Sequence, residues 1–320
     1  PLAGQEERVG TRSGKFPVTV QFHPPKGATP GEIGTLMDTT ADNVDVSATI
    51  VDLAVRGYLR IHSQTKKDFT LEALHAPAGR LEPFEEKLLA DLFKGKSVRT
   101  SKELSKQKFA DVLPDARNGL YASVVSKGWF KGNPTTAQMV PIVLGALAIG
   151  GGVLLTFIAA AVGWGLIGIP LAVFGIGLIV MSSKFRKRTA TGSAYLAQAK
   201  GFELYLRTAE KETLQFEEGE DIFSKYLPYA MVFGVADRWS KLFADLGAQG
   251  LYQANTSWYV GADLMHGYYF ASAMNNLTHS MSDAMQAARM DGMSSSTGGS
   301  SGFSGFSGGG GFGGGGGGSW

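Results

Sequence analysis

Three hydrophobic rhythms run along this chain. In "FPVTVQFHPPKG" (16–27), Phe16, Val18, Val20 and Phe22 alternate with polar residues, the period of an extended strand, and Pro24 and Pro25 stop it. The period then lengthens. "DVSATIVDLAVRG" sets Val46, Ile50, Leu53 and Ala54 at helical spacing, with Asp42, Asn43 or Asp45 available as N-cap and Gly57 as terminator. Two β-like runs follow, "YLRIHS" and "DFTLEAL", joined by the polar turn "QTKK". A helix running straight into a β-hairpin is the closing half of a winged helix. A second copy of that ending is present, since "AVRGYLR" (54–60) and "VSKGWFK" (125–131) share basic residue, Gly, aromatic, apolar, basic residue. In this register Ile50 and Leu53 fall on Tyr121 and Val124, which keeps the apolar face in phase. A helix from about Glu82 to Phe93 and a short β-prone "SVRT" precede the second copy. The pattern predicts a linker over 1–15 and two winged-helix-like units in tandem, 16–80 and 81–131, the second degenerate.

The second rhythm has no polar phase. No charged side chain occurs from Gly132 to Ser183, and the apolar heart, Met139–Met181, is 43 residues long. A bilayer core about 30 Å thick needs about 20 residues of helix, so the heart is twice the length of one pass. At its middle lies "AAAVGWG" (159–165), where Gly163 and Gly165 let the backbone reverse and Trp164 suits the headgroup level. The prediction is a transmembrane helical hairpin over 139–182, with passes at about 139–160 and 165–182. Gly145, Ala148, Gly152, Gly168, Gly175 and Gly177 offer small surfaces for close helix packing, and neither pass contains an ionisable residue.

Amphipathic helix returns after the hairpin. "GSAYLAQAKGFELYLRTAEKETL" aligns Tyr195, Ala199, Phe202 and Tyr205 or Leu206 on one stripe, with Gly201 tolerated inside it. "EEGED" breaks that helix, and Asp221 caps the next, which carries Ile222, Tyr226, Met231 and Val235, bends near Pro228 and ends around Trp239 to Leu246. A loop with Trp258 and Tyr259 leads to a further amphipathic stretch, "YYFASAMNNLTHSMSDAM". These aromatic stripes read as helix–helix core in a helical region spanning 184–290. The Gly/Ser-rich segment 291–320 cannot bury a core and reads as disordered. The fold class is therefore an α+β membrane protein.

Charge adds orientation. The 320 residues carry a net charge of +2, with 19 Lys and Arg against 16 Asp and Glu before residue 132, and 11 against 12 after residue 183. Neither half is a polyelectrolyte, so no bulk attraction to nucleic acid follows. The absence of cysteine excludes disulfides and thiolate chemistry. The opening at Pro1, without Met, reads as a piece of something longer. Lys127 and Lys131 precede the apolar heart, and Lys184, Arg186, Lys187 and Arg188 follow it. Both clusters favour the cytoplasmic side, which predicts a multi-pass protein of the cell membrane with its polar segments in the cytoplasm. One basic run stands out: Lys94, Lys96, Arg99, Lys102, Lys106 and Lys108 face only Glu103 within 94–108. Anionic lipid headgroups attract such a run as nucleic acid does. Specific DNA binding is disfavoured because the recognition-helix candidate "DVSATIVDLAVR" holds two Asp and one Arg.

Catalytic patterns are missing. His23, His62, His75, His266 and His279 are scattered without metal-ligand spacing, and there is no GxSxG, Walker loop or GxGxxG. Glu85-Glu86 and Glu217-Glu218 read as solvated helix faces, and Glu203, Glu210 and Glu212 with Arg207 and Lys211 as ordinary helical pairing. No catalytic residue, cofactor or metal ligand is nominated, and the chain is expected not to be an enzyme.

The strand ending "FHPPKGATPGEIG" with "ATIVDLAVRGYLRI", the Gly-rich hairpin, "AKGFELYLRTAEKE", "YLPYAMVFGVADRWSKLF" and a terminal "GGGGGGSW" occur together in one order. In these the chain resembles the DUF2207 family of predicted bacterial membrane proteins, from about Phe16 onward. The resemblance implies a signal peptide, an extracytoplasmic domain and a first membrane pass ahead of Pro1. It implies no activity. The leading expectation is a membrane-anchored cytoplasmic interaction or regulatory protein with a protein partner. The alternatives are a membrane-tethered DNA-binding regulator and an accessory factor of envelope assembly acting through a preceding domain.

The hairpin makes a first prediction. Leu155→Lys or Phe174→Lys should impair membrane insertion by about 2.5–3.5 kcal/mol, the cost of a charge at a helix centre. Gly163→Lys should cost little. A glycosylation-based insertion assay measures all three.

Overall fold

The computed structural model describes residues 19–63, 69–74, 80–104, 106, 111–160, 166, 168–182, 188–209, 221–252, 257–261 and 283. The predicted linker 1–15, the turn residues 161–165, the stretch 268–282 and the tail 291–320 lie outside them. Helix α1 (Pro30–Asp38) begins on Thr29 with Pro30 at its first position and Glu32 closing a capping box. Helix α2 (Asn43–Val55) is capped by Asp42, whose side chain accepts from the Val44 and Asp45 amides at 2.9 and 3.3 Å. It runs into strands β1 (Leu59–Ser63) and β2 (Phe69–Ala73), which pair antiparallel as expected, with Ile61 opposite Leu71.

The second copy differs. Helix α3 (Pro83–Phe93), strand β3 (Val98–Thr100), the short α4 (Ser101–Leu104) and α5 (Val112–Ser126) follow in order. Strand β3 joins the first copy's hairpin, antiparallel to β2. Two long helices come next, α6 (Pro134–Ala160) and α7 (Gly168–Met181). The polar chain then resumes with α8 (Ala190–Thr208), α9 (Ile222–Val232), α10 (Ala236–Ala248) and β4 (Tyr259–Gly261). Strand β4 completes a mixed sheet of order β3-β2-β1-β4 by pairing parallel to β1. Residues 19–23, expected as the end of a strand stopped by Pro24 and Pro25, pair with no strand among the described residues. They lie against α8, where the Gln21 amide donates to Gly201 O at 3.1 Å. A Cβ on Gly201 would sit 2.3 Å from Thr19 O, so this position needs glycine.

One core holds both sides of the hairpin together. Ile33, Leu36, Ile50, Leu53, Leu59 and Leu71 come from before it, and Phe202, Leu206, Tyr226, Leu227 and Trp239 from after it, all buried in one cluster. Helix α9 packs on α1 and α2, and its Tyr226 meets Phe202 of α8 with ring centres 5.0 Å apart, edge to face. The aromatic stripe after the hairpin is thus core, as its periodicity indicates.

Helices α6 and α7 form a separate, tightly packed antiparallel pair. A Cβ on Gly168 would lie 2.0 Å from Gly152 O, and one on Gly175 would lie 2.5 Å from Gly145 O. The backbones touch at these four glycines, and no larger residue fits. Gly177 makes no such approach, for nothing lies within 4 Å of its Cβ position. Around the seam, Leu147, Leu154, Phe157, Phe174 and Val180 point outward, exposed. Met139–Ile158 is long and apolar enough to cross a bilayer, and only 17% of that window is buried, unlike the core helix of a soluble protein. The 14 residues of α7 span about 21 Å, less than a full bilayer core.

Substitution on the seam should therefore separate the two helices. Gly168→Val should destabilise the hairpin by about 1–3 kcal/mol, the usual cost of overpacking, whereas Gly177→Val should be close to neutral. Thermal unfolding of the two variants in detergent micelles measures the difference.

Candidate functional site

Ionisable side chains concentrate where the first and second helix pairs meet, at the base of the hairpin. Helices α1 and α3 start alike, with an N-cap, proline at the first position and glutamate at the third: Thr29-Pro30-Gly31-Glu32 and Glu82-Pro83-Phe84-Glu85. Each glutamate turns back onto its own N-cap amide, Glu32 to Thr29 at 2.8 Å and Glu85 to Glu82 at 2.9 Å. Both are 0% exposed. Helices α2 and α5 also end alike, on Arg56 and Lys127, followed by Gly57 (φ 83°) and Gly128 (φ 72°). These left-handed glycines turn the chain so that the next aromatic amide returns to the helix, Tyr58 to Leu53 O at 2.9 Å and Trp129 to Val124 O at 3.0 Å. Each cation then lies over that aromatic ring, Arg56 at 5.5 Å from Tyr58 and Lys127 at 5.8 Å from Trp129.

The partners are exchanged between the pairs. Lys127, ending α5, meets Glu32 of α1 at 2.6 Å, and Arg56, ending α2, meets Glu85 of α3 at 2.5 Å. Lys127 also donates to Gly27 O at 2.7 Å and lies 3.3 Å from Glu82, while Ser123 donates its hydroxyl to Glu32. Arg56 reaches Asp52 on its own helix at 2.9 Å. Burial raises Glu85 and Asp52 above the usual carboxylate range, Asp52 to about 7, with Arg56 opposing both shifts. Chemically the cluster is a pair of buried, charge-assisted cross-links.

The same place joins the two ends of the hairpin. Phe130 and Arg188 form an antiparallel bridge, and the Thr189 amide donates to Trp129 O at 2.9 Å. Arg188 donates to Leu36 O at 2.9 Å and Met37 O at 2.8 Å, satisfying the carbonyls that α1 leaves open at its end. Burial lowers the Arg188 pKa. The next residue but one, Thr39, ends α1 at φ 69°, rare for a β-branched residue.

The sequence-predicted residues divide accordingly. Lys127 and Arg188 are tied into the body and do not serve as open flanking charges. Lys131 is exposed, and Lys184, Arg186 and Lys187 lie outside the described residues. In the basic run Lys94, Lys96, Lys102 and Lys106 are exposed, and Lys96 pairs with Glu103 at 3.1 Å. Lys108 lies outside the described residues. Arg99 leaves that surface altogether, being 2% exposed with Nε and Nη2 donating to Phe93 O at 2.9 and 2.5 Å. The alternation of the sheet turns it inward beside Leu71. Glu85 is no solvated face either, and only its neighbour Glu86 is exposed. Glu32, Glu82, Asp52 and Arg56 were not singled out by sequence, although the doubled Pro–x–Glu start and the repeated basic–Gly–aromatic end both marked the site. Glu203 and Arg207 do form the helical pair expected, at 2.8 Å. Among the described residues no group of three or more His, Cys, Asp or Glu is arranged to hold a metal ion.

One helix, over Met139–Ile158, is long and apolar enough by length and composition to cross a membrane. The C-terminal domain of DUF2207, described as a predicted membrane protein, matches residues 19–243, and the chain belongs to that family. No curated protein and no solved structure matches the chain.

The crossed pairs give a sharp expectation. Lys127→Met should destabilise the protein by about 3–5 kcal/mol, because Glu32 is left charged and buried without its cation. Adding Glu32→Gln should recover much of that loss. Urea unfolding of the single and double variants measures the coupling.

Proposed function

We propose that the chain is a membrane-anchored interaction or regulatory protein whose hairpin crosses the cell membrane twice and holds one polar body at the cytoplasmic surface. One observation carries this reading: the chain leaving Trp129 and the chain returning at Thr189 are hydrogen-bonded to each other, on a core built from both sides of the hairpin. A single pass cannot return its chain to the same body. The basic residues at both flanks favour the cytoplasmic side. Seven residues between α6 and α7 leave the second crossing room to extend beyond its 14 helical residues. We read the two helix pairs as winged-helix-like units fused through one sheet, with the partner a protein and with Lys94, Lys96, Lys102 and Lys106 facing anionic headgroups. No catalytic role is assigned.

Tethered DNA regulation is the weaker reading. Helix α2, the recognition-helix candidate, is buried along Asp45–Val51 and at Leu53 and Ala54, and α1, α5 and α9 pack on it. It has no free face for a groove.

Reporter fusions test the topology. Fusions near residues 131 and 190 and at the C-terminus should all report the cytoplasm, and an insertion between Val162 and Trp164 the opposite side. Agreement between the inserted and the flanking reporters would remove the double crossing.

A further inference from the structure

The ends of α2 and α5 copy each other, with one change of formal charge in the last turn. In the 71-residue register that lays Arg56 on Lys127 and Gly57 on Gly128, Asp52 falls on Ser123. At the Lys127 joint the neutral Ser123 supports Glu32, so one fully buried carboxylate faces one cation, with the more exposed Glu82 behind it. At the Arg56 joint two carboxylates converge on one guanidinium, Asp52 on Nε and Glu85 on Nη2, with side chains 14% and 0% exposed. The groups facing Asp52 are Arg56 from its own helix, Glu85 from α3 and Tyr229 from α9, whose hydroxyl donates to Ala28 O at 2.9 Å. Tyr58 faces Arg56, and Glu32 of α1 adds its field to Glu85.

We propose that the Arg56 joint is a proton-responsive contact between the two helix pairs, closed while Asp52 holds a proton and loosened when both carboxylates compete for the one cation, whereas the Lys127 joint is permanent. The chemistry is a single protonation at one Asp52 carboxyl oxygen. Without it the triad carries one net negative charge in a buried place, and with it the triad is neutral. Burial favours the neutral form, and Glu85 adds to that preference, which brings the change close to neutral pH. The folded value, about 7, lies above the ordinary 3.8. Opening of the joint therefore releases a proton between these limits, and the contact weakens as pH rises toward 7 and levels above it. Because the Arg56 joint braces α2 against α3 beside the hairpin's base, such a change alters how firmly the polar body is held together at the membrane.

Hydrogen–deuterium exchange of the full chain in detergent micelles, from pH 5.5 to 8 and corrected for intrinsic rates, tests this. The opening constant of segment 82–90 should rise up to about tenfold per pH unit until near pH 7, the slope of one linked proton. Segment 123–129, at the Lys127 joint, should change little and serves as the internal control. Segment 29–36 does not serve, because Thr35 donates to Asp45, whose pKa burial also raises. Asp52→Asn, and Asp52→Ser copying the other joint, should each remove about one proton from the slope at 82–90. An equal response of both segments, or an unchanged slope in the variants, would overturn the proposal. Should the Asp52 variants fail to fold, infrared difference spectra decide it, taken of the protein and of Asp45→Asn, which removes the other carboxyl whose pKa burial raises. A protonated-carboxyl band must vanish between pH 5.5 and 8 in both, and a spectrum that is constant in Asp45→Asn rejects it.

Discussion

The polar body depends on two buried glutamates that each do two things. Glu32 and Glu85 close the first turns of α1 and α3, where the amides of a helix start favour negative charge, and each faces the cation that ends the other pair's second helix. Coupling helix starts to helix ends in this way makes local and tertiary structure interdependent. If either cation moves, a helix start loses its counter-charge inside the protein, where water cannot replace it. A surface pair could break at little cost. These cannot.

The same region bears the apolar helical hairpin. Trp129 packs against Tyr195 with ring centres 4.8 Å apart and planes tilted by 36°, so the chain before α6 and the chain after α7 share one aromatic contact. Arg188 carries the connection to the end of α1, and from α1 it passes through Glu32 to Lys127. The hairpin is thus fastened to the helix pairs by hydrogen bonds and ion pairs rather than by a loose tether. Within the hairpin itself the two helices meet by backbone contact at four glycines.

Burial also sorts the cations. Arg99, Lys127 and Arg188 serve carbonyls and carboxylates inside the body, while Lys94, Lys96, Lys102 and Lys106 remain on the surface. A run of basic residues in sequence is therefore not one patch in space, and the arginines and lysines with structural duties drop out of any count of charges facing lipid or nucleic acid.

Much was legible in the chain because its signals are local. Spacing and caps determined α2, the β1–β2 hairpin, α3 and α8, since a helix or strand must keep one face apolar over a few turns. The single helix expected from Asp221 to about Leu246 is instead two, because Gly234 at φ 66° ends α9 and α10 starts afresh at Ala236. The uncharged stretch determined the two apolar helices, and the family motifs determined the family. What the tertiary structure decided was pairing. Nothing local tells β3 to join the first copy's sheet, β4 to run parallel to β1 across nearly two hundred residues, or residues 19–23 to lie on Gly201 rather than form a strand. Nor can it tell Glu85 from Glu86, which differ only in which side of α3 meets Arg56. Backbone partners and counter-charges are chosen by proximity in space, and proximity exists only once the core from both sides of the hairpin has formed.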